Sequence, residues 1–85
     1  MPIISMFYGI IIRMQNREHL PPHIHVEYSG DEAAVTLEGE ILKGYLPPKK
    51  LKMVQVWIEI HKEELETNWK IALSNEIPFR IDPLK

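Results

Sequence analysis

The chain has 85 residues, 45% of them hydrophobic, with a formal net charge of −2 and no cysteine. This length predicts one domain over residues 1–85 with a thin hydrophobic core. The lack of cysteine excludes disulfides and thiolate zinc sites, and it fits a reducing cytoplasm, where we expect the protein. The acidic balance does not favour nucleic acid as a partner, and no apolar run approaches the roughly 20 residues of a membrane span.

The first half of the chain predicts an antiparallel sheet of three or four strands. The apolar N-terminus has no basic segment before it, so it is typical of a strand and not of a signal peptide. Aromatic and β-branched residues, clean alternation of polarity and short Gly-containing turns mark the strands. The predicted strands are residues 6–14, 24–28, 33–37 and 41–46.

The second half predicts one long helix, with a kink or a division into two pieces left open. Pro47 and Pro48 suit a helix start, and apolar residues then recur at three- and four-residue steps to about Asn75, which could cap the end. Residues 77–84 contain two prolines and are expected to lie extended against the sheet or the helix. The predicted class is therefore α+β, with a helix packed on one sheet face.

Three of the four histidines lie within His19–His25, around Pro21 and Pro22. In a strand, His23 and His25 leave the same face about 7 Å apart, and Glu27 continues that row. With His19 folding over from the loop, His19, His23, His25 and Glu27 could bind a divalent transition metal such as zinc.

Two other interpretations of the same histidines stay open. As acid–base catalysts, His23 and His25 could move protons in phosphodiester cleavage while Arg13 or Lys43 stabilises developing charge. As structural groups, His19 and His23 could donate to backbone carbonyls around the proline turn while His25 packs half-buried in the sheet. His61 lies on the core-facing stripe of the helix and is expected to be a core or boundary histidine.

Two further surfaces stand out on the helix. Met53, Val56, Trp57 and Ile60 form a second apolar strip, which either the C-terminal tail or another chain must cover. Lys49, Lys50 and Lys52 crowd the first turn, where the helix dipole disfavours positive charge, so they could hold an anion or simply be solvated.

The chain resembles the family called Domain of Unknown Function 4160, and the match runs nearly end to end. The block His-x-Pro-Pro-His-x-His is the most specific part of the resemblance. The matching segments are residues 2–10, 19–28, 46–47, 57, 61, 63–65, 68–69 and 81–84.

The resemblance implies a small prokaryotic protein often encoded beside a member of the family Domain of Unknown Function 2442, an arrangement suggesting toxin–antitoxin-like pairs. It implies no defined activity. We therefore expect one component of such a pair, acting through contact with a small protein partner or with itself. The alternative is a metal-binding or acid–base enzyme, such as a nuclease, centred on the histidine block.

Overall fold

The computed structural model describes all 85 residues and arranges them as five strands followed by two helices. The strands are β1 (Ile3–Phe7), β2 (Ile10–Arg13), β3 (His23–Tyr28), β4 (Asp31–Thr36) and β5 (Ile41–Gly44). The helices are α1 (Pro48–Ile60) and α2 (Lys62–Leu73). The predicted α+β class is confirmed, although the numbers of strands and helices both differ from the prediction.

The sheet is an antiparallel meander in the order β1-β2-β3-β4-β5. Its apolar side packs against both helices in a single cluster of 18 buried residues. Near the centre of this cluster, the rings of Phe7 and Trp57 lie 5.5 Å apart. An antiparallel sheet can leave its second face to solvent. That face carries Arg13, His25 and Glu27, which are all partly exposed.

The additional strand arises because the predicted strand over residues 6–14 is interrupted by a tight turn. Tyr8 and Gly9 both have positive φ, 49° and 79°, as a two-residue type I′ turn requires. The turn separates β1 from β2, which pair with Phe7 opposite Ile10. The prediction of three or four strands was therefore wrong, because a bulky tyrosine masked the turn in an otherwise apolar run.

The second hairpin follows the prediction closely. Ser29 and Gly30 take φ of 48° and 89° and join β3 to β4. The predicted alternation along β3 holds in the middle of the strand, where Ile24 and Val26 are buried in the core.

The predicted helical segment forms two helices, α1 and α2, and not one continuous helix. His61 has φ −108° and ψ 25°, and it separates α1 from α2. Its N–H still donates to the Trp57 carbonyl and its carbonyl still accepts from Leu65 N–H, so the break is a local distortion between closely joined helices. The predicted start holds, with Pro48 in the first helical turn. Asn75 adopts a left-handed φ of 62° just beyond the end of α2.

The C-terminal tail closes over the side of the molecule where β1 meets the helices. Ile81 N–H donates to the Ile4 carbonyl at 2.7 Å, and Trp57 Nε1 donates to the Asp82 carbonyl at 2.8 Å. The tail therefore contacts both the sheet and α1. Neither helix combines the length and the hydropathy needed to cross a membrane.

Candidate metal centre

Glu18, His23 and His25 bring three potential metal ligands together at the start of β3. One ligand atom from each residue lies within 4.8 Å of the other two. Glu18 Oε1 is 2.7 Å from His25 Nε2 and 3.8 Å from His23 Nε2. Two imidazole nitrogens and one carboxylate oxygen form a ligand set that zinc and other divalent transition metals accept.

The orientation of His23 is fixed from two sides. Its Nδ1 lies 2.8 Å from the Pro21 carbonyl, and because a carbonyl can only accept, Nδ1 carries the proton. The other nitrogen, Nε2, faces Glu18 and lies 3.8 Å from its Oε1. The ring also packs 5.5 Å from Trp69 of α2, which buries it. A backbone carbonyl behind a histidine is the usual support of a metal-ligating imidazole.

His25 lies two residues further along the strand, with its ring 5.2 Å from that of His23 in an edge-on arrangement. Its Nε2 donates to Glu18 Oε1, so the carboxylate occupies the side of the ring that faces the cluster. The side chains of Glu18 and His25 remain 18% and 28% exposed. Solvent can therefore reach the point on which the three ligand atoms converge.

Glu18 lies in the loop between β2 and β3. Hydrogen bonds attach this loop to the end of α2 and so position the Glu18 side chain. Arg17 N–H donates to the Ala72 carbonyl, and the Asn16 amide donates to Asn75 Oδ1. Sequence reasoning missed Glu18 because a residue in an irregular loop has no predictable direction. The available signal was a carboxylate directly before the first histidine.

His19 and Glu27, which the sequence placed in the metal site, are not part of this cluster. His19 is exposed on the loop. Glu27 instead accepts from Arg13 Nε at 2.6 Å, while the Arg13 guanidinium also donates to the Met1 carbonyl at 2.9 Å. Arg13 does lie opposite His25 in the β2–β3 register, but its charge is compensated by Glu27.

The fourth histidine, His61, belongs to a different site at the helix junction. It packs against the Trp57 ring at 5.5 Å and is hydrogen-bonded through Nδ1 to Glu64 Oε1 at 2.5 Å. This agrees with its expected place at the boundary of the core.

The structure separates the members of the two other candidate surfaces, the lysines of the first helical turn and the second apolar strip. Lys50 reaches back over the Tyr28 ring at 4.8 Å, whereas Lys49 and Lys52 are exposed, so the three lysines do not converge.

Within the second apolar strip, Trp57 is completely buried and Met53 is half-buried against the core. Val56 and Ile60 remain 45% and 62% exposed. The chain's own tail contacts this strip at Trp57, whose Nε1 donates to the Asp82 carbonyl.

Comparison with known protein families assigns the chain. The family model described as "Domain of unknown function (DUF4160)" matches residues 9–70, which include the candidate centre and most of both helices. The chain belongs to the DUF4160 family. No curated protein and no solved structure matches it. Membership in DUF4160 therefore identifies no ligand and no reaction for this chain.

Proposed function

We propose that this DUF4160 protein binds one divalent transition metal ion through Glu18, His23 and His25. The observation that carries the proposal is the mutual approach of the three ligand atoms to within 4.8 Å. Ligands bound at about 2.1 Å in tetrahedral geometry lie roughly 3.4 Å from each other. The 2.7 Å contact between Glu18 and His25 would lengthen and the wider separations would shorten, both by small side-chain movements.

The chemistry of the ligand set supports a site with open coordination positions. Three protein ligands leave at least one position for water or a substrate, as in catalytic zinc sites, and two histidines with one carboxylate are also typical of non-haem iron sites. Partial exposure of Glu18 and His25 gives solvent access to that position. On binding, the metal replaces the proton that His25 Nε2 now donates to Glu18.

Calorimetric titration of the chelator-treated protein with Zn²⁺ tests the proposal. We expect one ion per chain, and a loss of affinity of at least about tenfold in Glu18→Ala, His23→Ala and His25→Ala. The matched controls are His19→Ala and His61→Ala, which remove histidines outside the cluster and should leave the affinity unchanged. Wild-type protein that binds no Zn²⁺, or controls that weaken binding as much as His23→Ala, would contradict the proposal.

A second candidate function is contact with a small partner protein in a toxin–antitoxin-like pair, with the exposed side chains of Val56 and Ile60 as its support. Expression of the chain alone and together with its neighbouring gene tests this function. We expect growth to differ between the two conditions and the difference to be lost in Val56→Glu/Ile60→Glu. If His23→Ala/His25→Ala abolishes the effect and the helix variant does not, the effect depends on the histidine cluster instead.

A further inference from the structure

The two edge strands of the sheet, β1 and β5, differ in how far the rest of the chain covers them. At the β1 edge, the tail lies alongside the strand, with Ile81 N–H donating to the Ile4 carbonyl and Ile81 itself 3% exposed. An edge covered in this way cannot pair with another strand unless the tail is displaced. The chain's own C-terminal segment therefore obstructs the β1 edge at Ile4.

The β5 edge has no such cover. All four residues of β5 are exposed, and large apolar side chains are among them. Ile41 is 37% exposed, Leu42 is 48% exposed, and Tyr45, just beyond the strand, is 57% exposed. Lys43 is the only charged residue in the strand. Edge strands normally avoid such apolar exposure because their free backbone groups are a template for pairing with another chain.

A groove of about 520 Å³ continues this apolar surface onto the helical side. It lies between α2 and the end of the sheet, and Leu42 of β5 forms part of its wall. Trp69, Leu37 and Pro22 contribute the other apolar parts of the lining, and charged residues of α2 surround it. A strand added at β5 would therefore meet both backbone hydrogen-bonding groups and an apolar recess for its side chains.

We propose that β5 pairs antiparallel with β5 of a second copy of this chain, joining two sheets into one of ten strands. The second copy fits because β5 is both an open edge and an extended apolar segment, so the same surface supplies both sides of an isologous contact. Because the β1 edge is covered, association stops at two copies and does not continue into a fibre.

The two-fold symmetry restricts the register of this pairing. A two-fold axis perpendicular to the sheet makes one residue pair with its own copy. With Leu42 on the axis, the two leucines face each other and Ile41 faces Lys43 of the partner subunit. The register centred on Lys43 would place two ammonium groups opposite each other, which is destabilising. Leu42 is therefore the expected centre.

Sedimentation equilibrium of the 85-residue chain from about 10 μM to about 1 mM tests the proposal, since small interfaces give weak association. The average mass should rise with concentration from the chain mass of 10.0 kDa toward twice that value. Leu42→Glu should raise the dimer dissociation constant at least tenfold. Leu73→Glu is the matched control, because it makes the same change at an exposed leucine of α2 and should have no effect.

A cysteine variant keeps the test independent of charge effects. The chain has no native cysteine, so Leu42→Cys introduces a single thiol. Directly opposite residues in an antiparallel pair have Cα atoms about 4.5–5.5 Å apart, within the range that a disulfide spans. We expect Leu42→Cys to form a disulfide-linked dimer under mild oxidation much faster than Leu73→Cys. A wild-type chain that stays monomeric throughout, or equal cross-linking of the two variants, would overturn the proposal.

Discussion

Replacement of Asn68 by alanine should release the C-terminal tail and strongly destabilise the fold. Asn68 is completely buried, and its carboxamide pairs with both backbone groups of Phe79, donating to the carbonyl at 2.8 Å and accepting from the N–H at 2.9 Å. This pairing imitates one rung of a sheet and attaches the tail to α2. The tail in turn covers the β1 edge and Trp57, so one side chain supports several contacts.

The magnitude follows from the two hydrogen bonds. Each contributes about 1 kcal/mol net, and a buried backbone group left without a partner costs about 1–3 kcal/mol. Phe79 is partly exposed, so water can compensate for some of the loss. We therefore expect roughly 2–4 kcal/mol from a total of about 4–13 kcal/mol for a chain of this length, and a melting temperature lower by roughly 10–25 °C.

Thermal and urea unfolding followed by circular dichroism measure this loss, and hydrogen exchange at Ile81 reports whether the tail detaches. Thr67→Ala is the matched control, because Thr67 is the exposed neighbour of Asn68 on the same helix. If Asn68→Ala unfolds within a few tenths of a kcal/mol of Thr67→Ala, or leaves exchange at Ile81 unchanged, the tail does not depend on this pairing.

Three further predictions concern other parts of the fold. Gly44→Ala should cost about 3 kcal/mol or more in urea unfolding, because an added Cβ would lie 2.1 Å from the Glu32 carbonyl oxygen. Gly30→Ala, at nearly the same positive φ but with open space around it, should cost only about 1–2 kcal/mol, and equal losses would refute the steric argument. Trp57→Phe should cost about 1–2 kcal/mol by leaving a tail carbonyl without its donor, and no change in the urea midpoint would contradict this. Zn²⁺ at a hundred times the wild-type dissociation constant should stabilise the wild type by about 2.7 kcal/mol and His23→Ala by about 1.4 kcal/mol or less, as measured by thermal unfolding. Equal stabilisation of both would place the ion elsewhere.

The parts of the fold that could be predicted are those set by local patterns. Alternation in β3 placed Ile24 and Val26 in the core, and the Ser29-Gly30 pair marked the turn that follows. The start of α1 at Pro48 also follows from local chemistry, since proline lacks the N–H that the first turn leaves unused.

The parts that could not be predicted depend on tertiary contacts or on unusual residues. Tyr8 takes a left-handed conformation that favours glycine or asparagine, so the first hairpin had no standard signal before Gly9. The break at His61 lies in a sequence without proline or glycine, where the apolar periodicity continues from α1 into α2. The local sequence therefore offers no signal for this break.

The candidate centre shows the same limit at the scale of one residue. Two of its three ligands, His23 and His25, follow from strand alternation, but the third depends on how the loop before the prolines docks on α2. That docking directs Glu18 toward the histidines and leaves His19 exposed. The exchange changes the chemistry, because a carboxylate reduces the net charge of a bound divalent ion with its ligands from +2 to +1. A lower net charge is less costly to hold beside the buried ring of His23. The carboxylate oxygen also favours metals that accept oxygen as well as nitrogen.

Substitution of Glu18 by histidine should therefore retain binding of Zn²⁺ but weaken binding of Mn²⁺, which prefers oxygen ligands, and calorimetry with both ions would measure the difference. Equal weakening of both ions would show that geometry, and not ligand type, limits the site.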